Sequence, residues 1–142
     1  SMKIIKQAIL GLSALLTLGL TNIASAEVLV LIHGYMGSPM SWEDSRINDI
    51  LDRNGWPRGG VIVPDTRKFY AAPPSRRNPG KSKNISYVID MPWMRPLDEQ
   101  ADYVDIAMKQ IRKMRPNEEI TLVGHSAGAL AARLWLVQKN PP

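Results

Sequence analysis

Apolar and polar positions along this chain follow two patterns that alternate and predict strands separated by helices. Residues 28–32 form a continuous apolar run, the pattern of a strand buried on both faces of a parallel sheet. Further apolar runs predict strands at 60–64 and 119–123. Helical spacing predicts helices at 38–54 and 97–115, and a last helix that follows the strand at 119–123 and ends at residue 140. The alternation predicts an α/β fold with a parallel sheet and flanking helices.

The segment 65–96 shows little periodicity and is rich in proline and basic residues, which predicts a long loop. A solvated loop is the default interpretation, and contact with an anionic membrane surface or an acidic substrate is the functional one. Its basic residues are Arg67, Lys68, Arg76, Arg77, Lys81 and Lys83. Its larger apolar residues could line an acyl pocket, form a lid or simply pack: Phe69, Tyr70, Tyr87, Trp93 and Met94.

The first 26 residues have the organisation of a signal peptide. Lys3 and Lys6 precede an apolar core at 8–20, and an A-x-A sequence ends at Ala26, where we expect cleavage. Ser1 precedes Met2 and is expected to be a cloning remnant. The prediction is a periplasmic or secreted protein, in which residues 27–142 form one partial domain.

Composition and charge exclude several classes of function. The net charge is +5, and removal of Lys3 and Lys6 would leave 16 basic and 13 acidic residues, too small an excess to indicate a nucleic-acid binder. The chain has no cysteine, so neither a disulfide nor a lipid-modified N-terminal cysteine is expected. No cluster of His, Asp and Glu has the spacing of metal ligands, and we expect neither a metal nor a cofactor.

The segment from Gly124 to Gly128 has the pattern G-x-S-x-G between a predicted strand and a predicted helix. A sharp turn from strand to helix would hold Ser126 at its tip with the hydroxyl exposed. Glycine is expected on either side, because a side chain there would collide with the neighbouring strand or with the start of the helix.

A second motif, His33-Gly34-Tyr35-Met36-Gly37, follows the first predicted strand. With both motifs in this order, the chain from residue 28 onward resembles the α/β-hydrolase superfamily, and most closely its secreted bacterial lipases and esterases. The resemblance implies that Ser126 is the nucleophile and that the backbone N–H groups of Tyr35 (with Met36 as the alternative) and Ala127 form the oxyanion hole. It also implies supporting roles in the loop and the elbow for His33, Gly34, Gly124 and Gly128, with the side chain of His125 pointing away from the cleft.

The family's acid and histidine, which follow the nucleophile, are missing from this sequence, because residues 127–142 contain no Asp, Glu or His. The resemblance therefore covers the N-terminal half of the fold, ending just after the elbow helix. The elbow strand is then expected at an open, apolar edge of the sheet, where self-association is a hazard.

The expected function is a serine hydrolase that cleaves small-molecule or lipid carboxylic esters through an acyl-enzyme on Ser126, with this chain inactive by itself. Acyltransferases, thioesterases, amidases and haloperoxidases share the motifs, so the reaction within the superfamily stays open. The alternative is a catalytically silent hydrolase relative that acts as a lipid- or protein-binding module.

Overall fold

The strands of the computed structural model form one sheet in the order β1-β6-β2-β5-β3-β4. The structure describes residues 5–9, 27–66, 68–70 and 82–139. The strands are β1 (Ile5–Ile9), β2 (Glu27–Ile32), β3 (Arg58–Val63), β4 (Lys68–Tyr70), β5 (Ile85–Ile89) and β6 (Glu119–Gly124). All neighbouring pairs are parallel except β3 and β4. The predicted α/β architecture is confirmed, with β2 at the centre of its parallel part.

Helices cover both faces of this sheet. They are α1 (Met40–Asp44), α2 (Ile47–Arg53), α3 (Leu97–Met114) and α4 (Ala127–Gln138). Val28, Val30 and Ile32 pack in a core that includes residues of α3 and α4. Leu29 and Leu31 pack with residues of α1 and α2 in a second core. Because alternate side chains of β2 enter opposite cores, the whole strand is apolar and buried, as its sequence predicted.

The prediction of an uninterrupted loop at 65–96 is wrong, because β5 lies within it and forms part of the sheet between β2 and β3. The segment is a short apolar run with β-branched residues, which suits a strand that is buried along its whole length. Tyr87 pairs in register with Val30 and is buried in the core, so it belongs to neither a lid nor an acyl pocket.

The single helix predicted at 38–54 is divided into α1 and α2. Arg46 lies between them with φ of 65°, in the left-handed region, so the helical path cannot continue through it. The break allows Trp42 of α1 and Leu51 of α2 to enter the same core from two short helices.

The elbow strand β6 was expected at an open edge, but β1 pairs with it in parallel from Ile5–Ile120 to Ile9–Gly124. The exposed edge that the sequence indicated is thus covered by backbone hydrogen bonding. β1 falls inside the predicted signal peptide, whose other residues lie outside the described ranges, and the cleavage site stays a prediction.

A buried ionic network fastens α1 and α2 to the sheet. Arg58 of β3 donates from Nε and Nη2 to the two carboxylate oxygens of Glu43, at 2.9 and 2.7 Å, and its Nη1 lies 3.4 Å from Oδ2 of Asp52. Asn48 donates a further hydrogen bond to Glu43 at 2.6 Å. Burial alone would raise the pKa of Glu43, but the hydrogen bonds from Arg58 and Asn48 outweigh it and lower that pKa.

We expect Arg58→Ala to lower the free energy of unfolding by about 3 kcal/mol, because it leaves Glu43 and Asp52 buried without their cation. Arg58→Lys should recover only part of this loss, since an ammonium cannot form the two-pronged contact with Glu43. Urea denaturation of the full-length protein measures both changes. Arg46→Ala is the matched control: its exposed pair with Asp49 at 3.4 Å should contribute less than about 1 kcal/mol. Equal losses from Arg58→Ala and Arg46→Ala would contradict this account.

Candidate active site at the β6–α4 turn

The turn from β6 to α4 holds Ser126 in a strained backbone conformation. Ser126 has φ of 56° and ψ of −127° and is the residue directly before α4. A non-glycine residue in such a sparsely populated region costs on the order of 1–3 kcal/mol, and strain of this kind concentrates at functional sites. The residue is also exposed to solvent. The structure therefore has the strained, exposed serine that the G-x-S-x-G pattern predicts.

Two glycines of the motif allow the helix to begin this close to the sheet. A Cβ atom at Gly124 would overlap the backbone of Ala129 in α4. A Cβ atom at Gly128 would overlap the carbonyl oxygens of Ile32 and His33 at the end of β2. These contacts are with backbone atoms that cannot rotate away, so the expected collisions with helix and strand are confirmed.

Gly34 brings the loop after β2 against the elbow. A Cβ atom built on it would lie 2.5 Å from the carbonyl oxygen of His125 and 2.8 Å from Cβ of Ser126. The N–H of His125 also donates to the carbonyl of Ile32 at 3.1 Å. The two motifs, about ninety positions apart in the sequence, thus form one site at the carboxyl ends of neighbouring parallel strands.

The loop after β2 is a tight turn in which the N–H of Gly37 donates to the carbonyl of Gly34 at 2.9 Å. Met36, inside the turn, also has a positive φ, of 55°, which is uncommon for a residue other than glycine. The side chains of Tyr35 and Met36 are both exposed. The turn is therefore held by its backbone, and its side chains are left available to a ligand.

The first amides of α4 differ in what they can offer a ligand. The N–H groups of Gly128 and Ala129 donate to the carbonyls of His125 and Ser126, both at 3.0 Å. The backbone nitrogen of Ala127 lies 3.4 Å from the position that a Cβ atom of Gly34 would take, so this amide is close to the loop after β2. Amides at a helix N-terminus carry partial positive charge and favour a negatively charged oxygen.

His33 is buried and tied to two neighbouring loops. Its Nε2 accepts a hydrogen bond from the N–H of Met91 at 3.0 Å, so the ring proton belongs on Nδ1, which lies 3.2 Å from the carbonyl oxygen of Gly34. Burial lowers its pKa, although the carbonyl of Gly34 and Asp90, 3.7 Å away, favour the protonated form. A neutral His33 therefore links the loop after β2 to the loop after β5.

A cavity of about 250 Å³ lies beside the elbow, between the loop after β2 and α1. Among the residues that line it are Tyr35, Met36, Ser41 and Trp42. His125 is also among its lining residues. The expected direction of its side chain, away from the cleft, stays a prediction. Helix α1 carries no chemical motif, so sequence reasoning did not include Ser41 and Trp42 in the site.

The end of β5 adds Asp90 and Met91, which sequence reasoning missed, and Trp93, which the sequence suggested as a pocket, lid or packing residue. Asp90 and Met91 follow this strand directly and approach His33. The ring of Trp93 meets that of Tyr35 edge to face, with centroids 4.9 Å apart and an interplanar angle of 76°. The signal that could have found them is the apolar run of β5 itself, since residues after a parallel strand lie at the same sheet edge as those after its neighbour.

The structure describes only some of the remaining residues that the sequence singled out. The side chains of Phe69 and Tyr70, and most of the basic residues of 65–96, lie outside the residues whose side chains are described. Within the described ranges, no group of three or more acidic or histidine residues could hold a metal ion. No described helix is both long and apolar enough to cross a membrane.

Comparison with known proteins gives one family. A family model described as alpha/beta hydrolase fold matches residues 27–142, which include every strand and helix above except β1. A search of curated proteins gave no match.

We expect the free energy of unfolding to decrease when the pH falls below about 6.5, the ordinary pKa of histidine. The pKa of His33 is lower in the folded state, so the unfolded chain binds a proton that the folded chain does not. Stability is thus complete above the unfolded-state pKa and falls towards the folded-state pKa, by at most about 1.4 kcal/mol per pH unit. Urea denaturation between about pH 5 and 8 should show a shallower dependence in His33→Gln. The control Ser82→Ala, which removes no group that titrates in this range, should keep the wild-type slope, and an unchanged slope in His33→Gln would count against this assignment.

Proposed function

The chain belongs to the α/β hydrolase fold family, and on that premise we propose that it is a serine hydrolase that cleaves carboxylic esters through an acyl-enzyme on Ser126. The observation that carries the proposal is the conformation of Ser126, which is strained, exposed and in contact range of the loop after β2. An ordinary serine that only precedes a helix has no need of a backbone with positive φ.

In the first step, Oγ of Ser126 attacks the carbonyl carbon of the ester while a general base accepts its proton. The carbonyl oxygen becomes an oxyanion, and the C–O bond to the alcohol then breaks as the alcohol oxygen takes a proton. Water attacks the acyl-enzyme in the same way and releases the acid, which restores the hydroxyl of Ser126.

The backbone amides of Ala127 and Tyr35 are proposed to stabilise that oxyanion. The backbone nitrogen of Ala127 lies beside the loop after β2 at the start of α4, and Tyr35 follows Gly34, where an added Cβ would crowd Cβ of Ser126. Donors fixed before the reaction stabilise developing charge without a reorganisation cost. The tight Gly34–Gly37 turn supplies this rigidity on one side, and the helix supplies it on the other.

The general base is proposed to be a histidine outside the present sequence, paired with an acid that also lies outside it. His33 is a poor candidate because its Nε2 already accepts the N–H of Met91 and its Nδ1 lies beside the carbonyl of Gly34. His125 is among the residues that line the cavity beside the turn. A serine hydroxyl without a base reacts slowly, so activity is expected of the complete protein.

We expect Ser126→Ala to reduce ester hydrolysis by a factor on the order of 10⁴ or more and to abolish covalent labelling by a fluorophosphonate. Ester hydrolysis and intact mass after labelling of the full-length protein are the measurements. Ser82→Ala is the control, because Ser82 precedes β5 at the opposite end of the sheet, and it should keep both properties. An unlabelled but folded wild-type protein would favour the binding-module alternative instead.

We expect Gly34→Ala to lower kcat/KM about 100-fold, because the added Cβ would force apart the loop after β2 and the backbone of the elbow. The control is Gly55→Ala, at a glycine with φ of 95° and open space around its Cβ position. This control should cost about 1 kcal/mol in the free energy of unfolding and leave kcat/KM nearly unchanged. If the two variants lose the same activity, the contact at Gly34 has no special role in the site.

A further inference from the structure

Four side chains in the loops after β2 and β5 are here called the aromatic rim: Tyr35, Met36, Trp93 and Met94. Three of them are exposed, and Trp93 is half-buried. Tyr35 is 68% exposed, Met36 71% and Met94 79%. The rim consists of two aromatic–methionine pairs, one in the loop after β2 and one in the loop after β5. Contiguous exposed apolar surface is unfavourable in water, and where it persists it often marks a binding site.

The rim is held in position by contacts at both loops. The edge-to-face contact between Tyr35 and Trp93 joins the two pairs directly. The side-chain amide of Gln100, which is buried, donates to the carbonyls of Trp93 at 3.3 Å and Arg95 at 2.8 Å. The bond from Met91 to His33 fixes the base of the same loop. A surface that is ordered without a ligand loses little conformational entropy on binding.

The rim borders the site of the proposed reaction. Tyr35 directly follows Gly34, whose missing side chain brings the loop to Ser126. Tyr35 and Met36 also line the cavity of about 250 Å³ beside the elbow. Rim side chains therefore extend from the cavity beside the elbow, through Tyr35, to Trp93 in the loop after β5.

The chemistry of the rim selects an uncharged, apolar ligand. None of its four side chains is charged, and the guanidinium of the adjacent Arg95 is paired with Glu99 at 2.7 Å. The two methionines are flexible and polarizable and can adapt to chains of different shape. None of the four rim side chains offers a formal charge with which an ionic ligand could pair.

We propose that the aromatic rim binds the apolar chain of the ester substrate and gives the enzyme a preference for esters with an extended apolar chain. This inference rests on the proposed function, because it places the reacting carbonyl at Ser126. The chain belongs to the acyl group or to the alcohol, which share this chemistry and can be separated by the choice of substrate.

The first test compares short and long esters in the full-length protein. The acyl arm uses p-nitrophenyl acetate and octanoate, and the alcohol arm uses methyl and octyl acetate. Trp93→Ala should raise KM for the long ester of one arm about tenfold more than KM for the matching short ester. Val137→Ala, at an 80% exposed position near the end of α4, is the control and should change neither.

The second test does not depend on catalysis. Calorimetry measures the binding of octanamide, an uncharged and unreactive analogue, to Ser126→Ala and to the double variant that also carries Trp93→Ala. The double variant should bind about tenfold more weakly. A Ser126→Ala protein that also carries Val137→Ala should bind as the single variant does.

The outcomes separate the two proposals. If a fluorophosphonate labels the protein but Trp93→Ala does not weaken octanamide binding, the proposed role of the aromatic rim is wrong and the hydrolase proposal stands. Equal loss for short and long esters in Trp93→Ala also overturns it, because that is the effect of a structural role. If no labelling occurs but Trp93→Ala weakens octanamide binding, the hydrolase proposal is wrong and the rim is an apolar binding site.

Discussion

The close approach of two backbone segments, one after β2 and one after β6, is the constraint on which the candidate site depends. Gly34 meets the backbone of His125, and Gly128 meets that of Ile32 and His33, at distances that leave no room for a Cβ atom. Parallel pairing of the two strands sets this approach, because it brings their carboxyl ends to the same edge. Glycine is required here for space between backbones, and the positive φ in the turn belongs to Ser126 itself.

Around this contact, strained and exposed residues lie on a buried, rigid scaffold. Ser126 and Met36 both have positive φ, and each conformation has a cost on the order of 1–3 kcal/mol that the surrounding packing must offset. The offset is available because β2 is buried along its whole length and because Arg58 holds α1 and α2 against the sheet. A rigid scaffold beneath strained, exposed residues is an arrangement in which a reacting group is positioned before the substrate arrives.

His33 shows how a residue of the sequence motif acts through its neighbours. Its ring joins the loop after β2 to the loop after β5, and burial keeps it neutral, so that Nε2 can accept the amide of Met91. The same two loops meet again at Tyr35 and Trp93. The oxyanion loop and the apolar rim are therefore fixed by one set of contacts, which links the geometry of the proposed reaction to the proposed recognition of the substrate.

Local patterns gave a reliable prediction where each residue's role follows from its neighbours in the chain. The apolar run of β2, the amphipathic spacing of α3 and the G-x-S-x-G turn each carry their own signal, and all three were found in the predicted places. The prediction failed at β5, whose short run lies among prolines and basic residues and resembles part of a loop. It also failed at Arg46, where a charged residue with no turn signal adopts a left-handed conformation and divides a helix.

The sequence by itself determined the α/β class, the strained serine and the glycines around it, because these depend on backbone sterics over a few consecutive residues. Only the tertiary structure decided that β5 lies between β2 and β3, and therefore that Asp90, Met91 and Trp93 reach the site. The physical reason is that strand order depends on which buried faces pack together, and no local pattern in the chain specifies that choice.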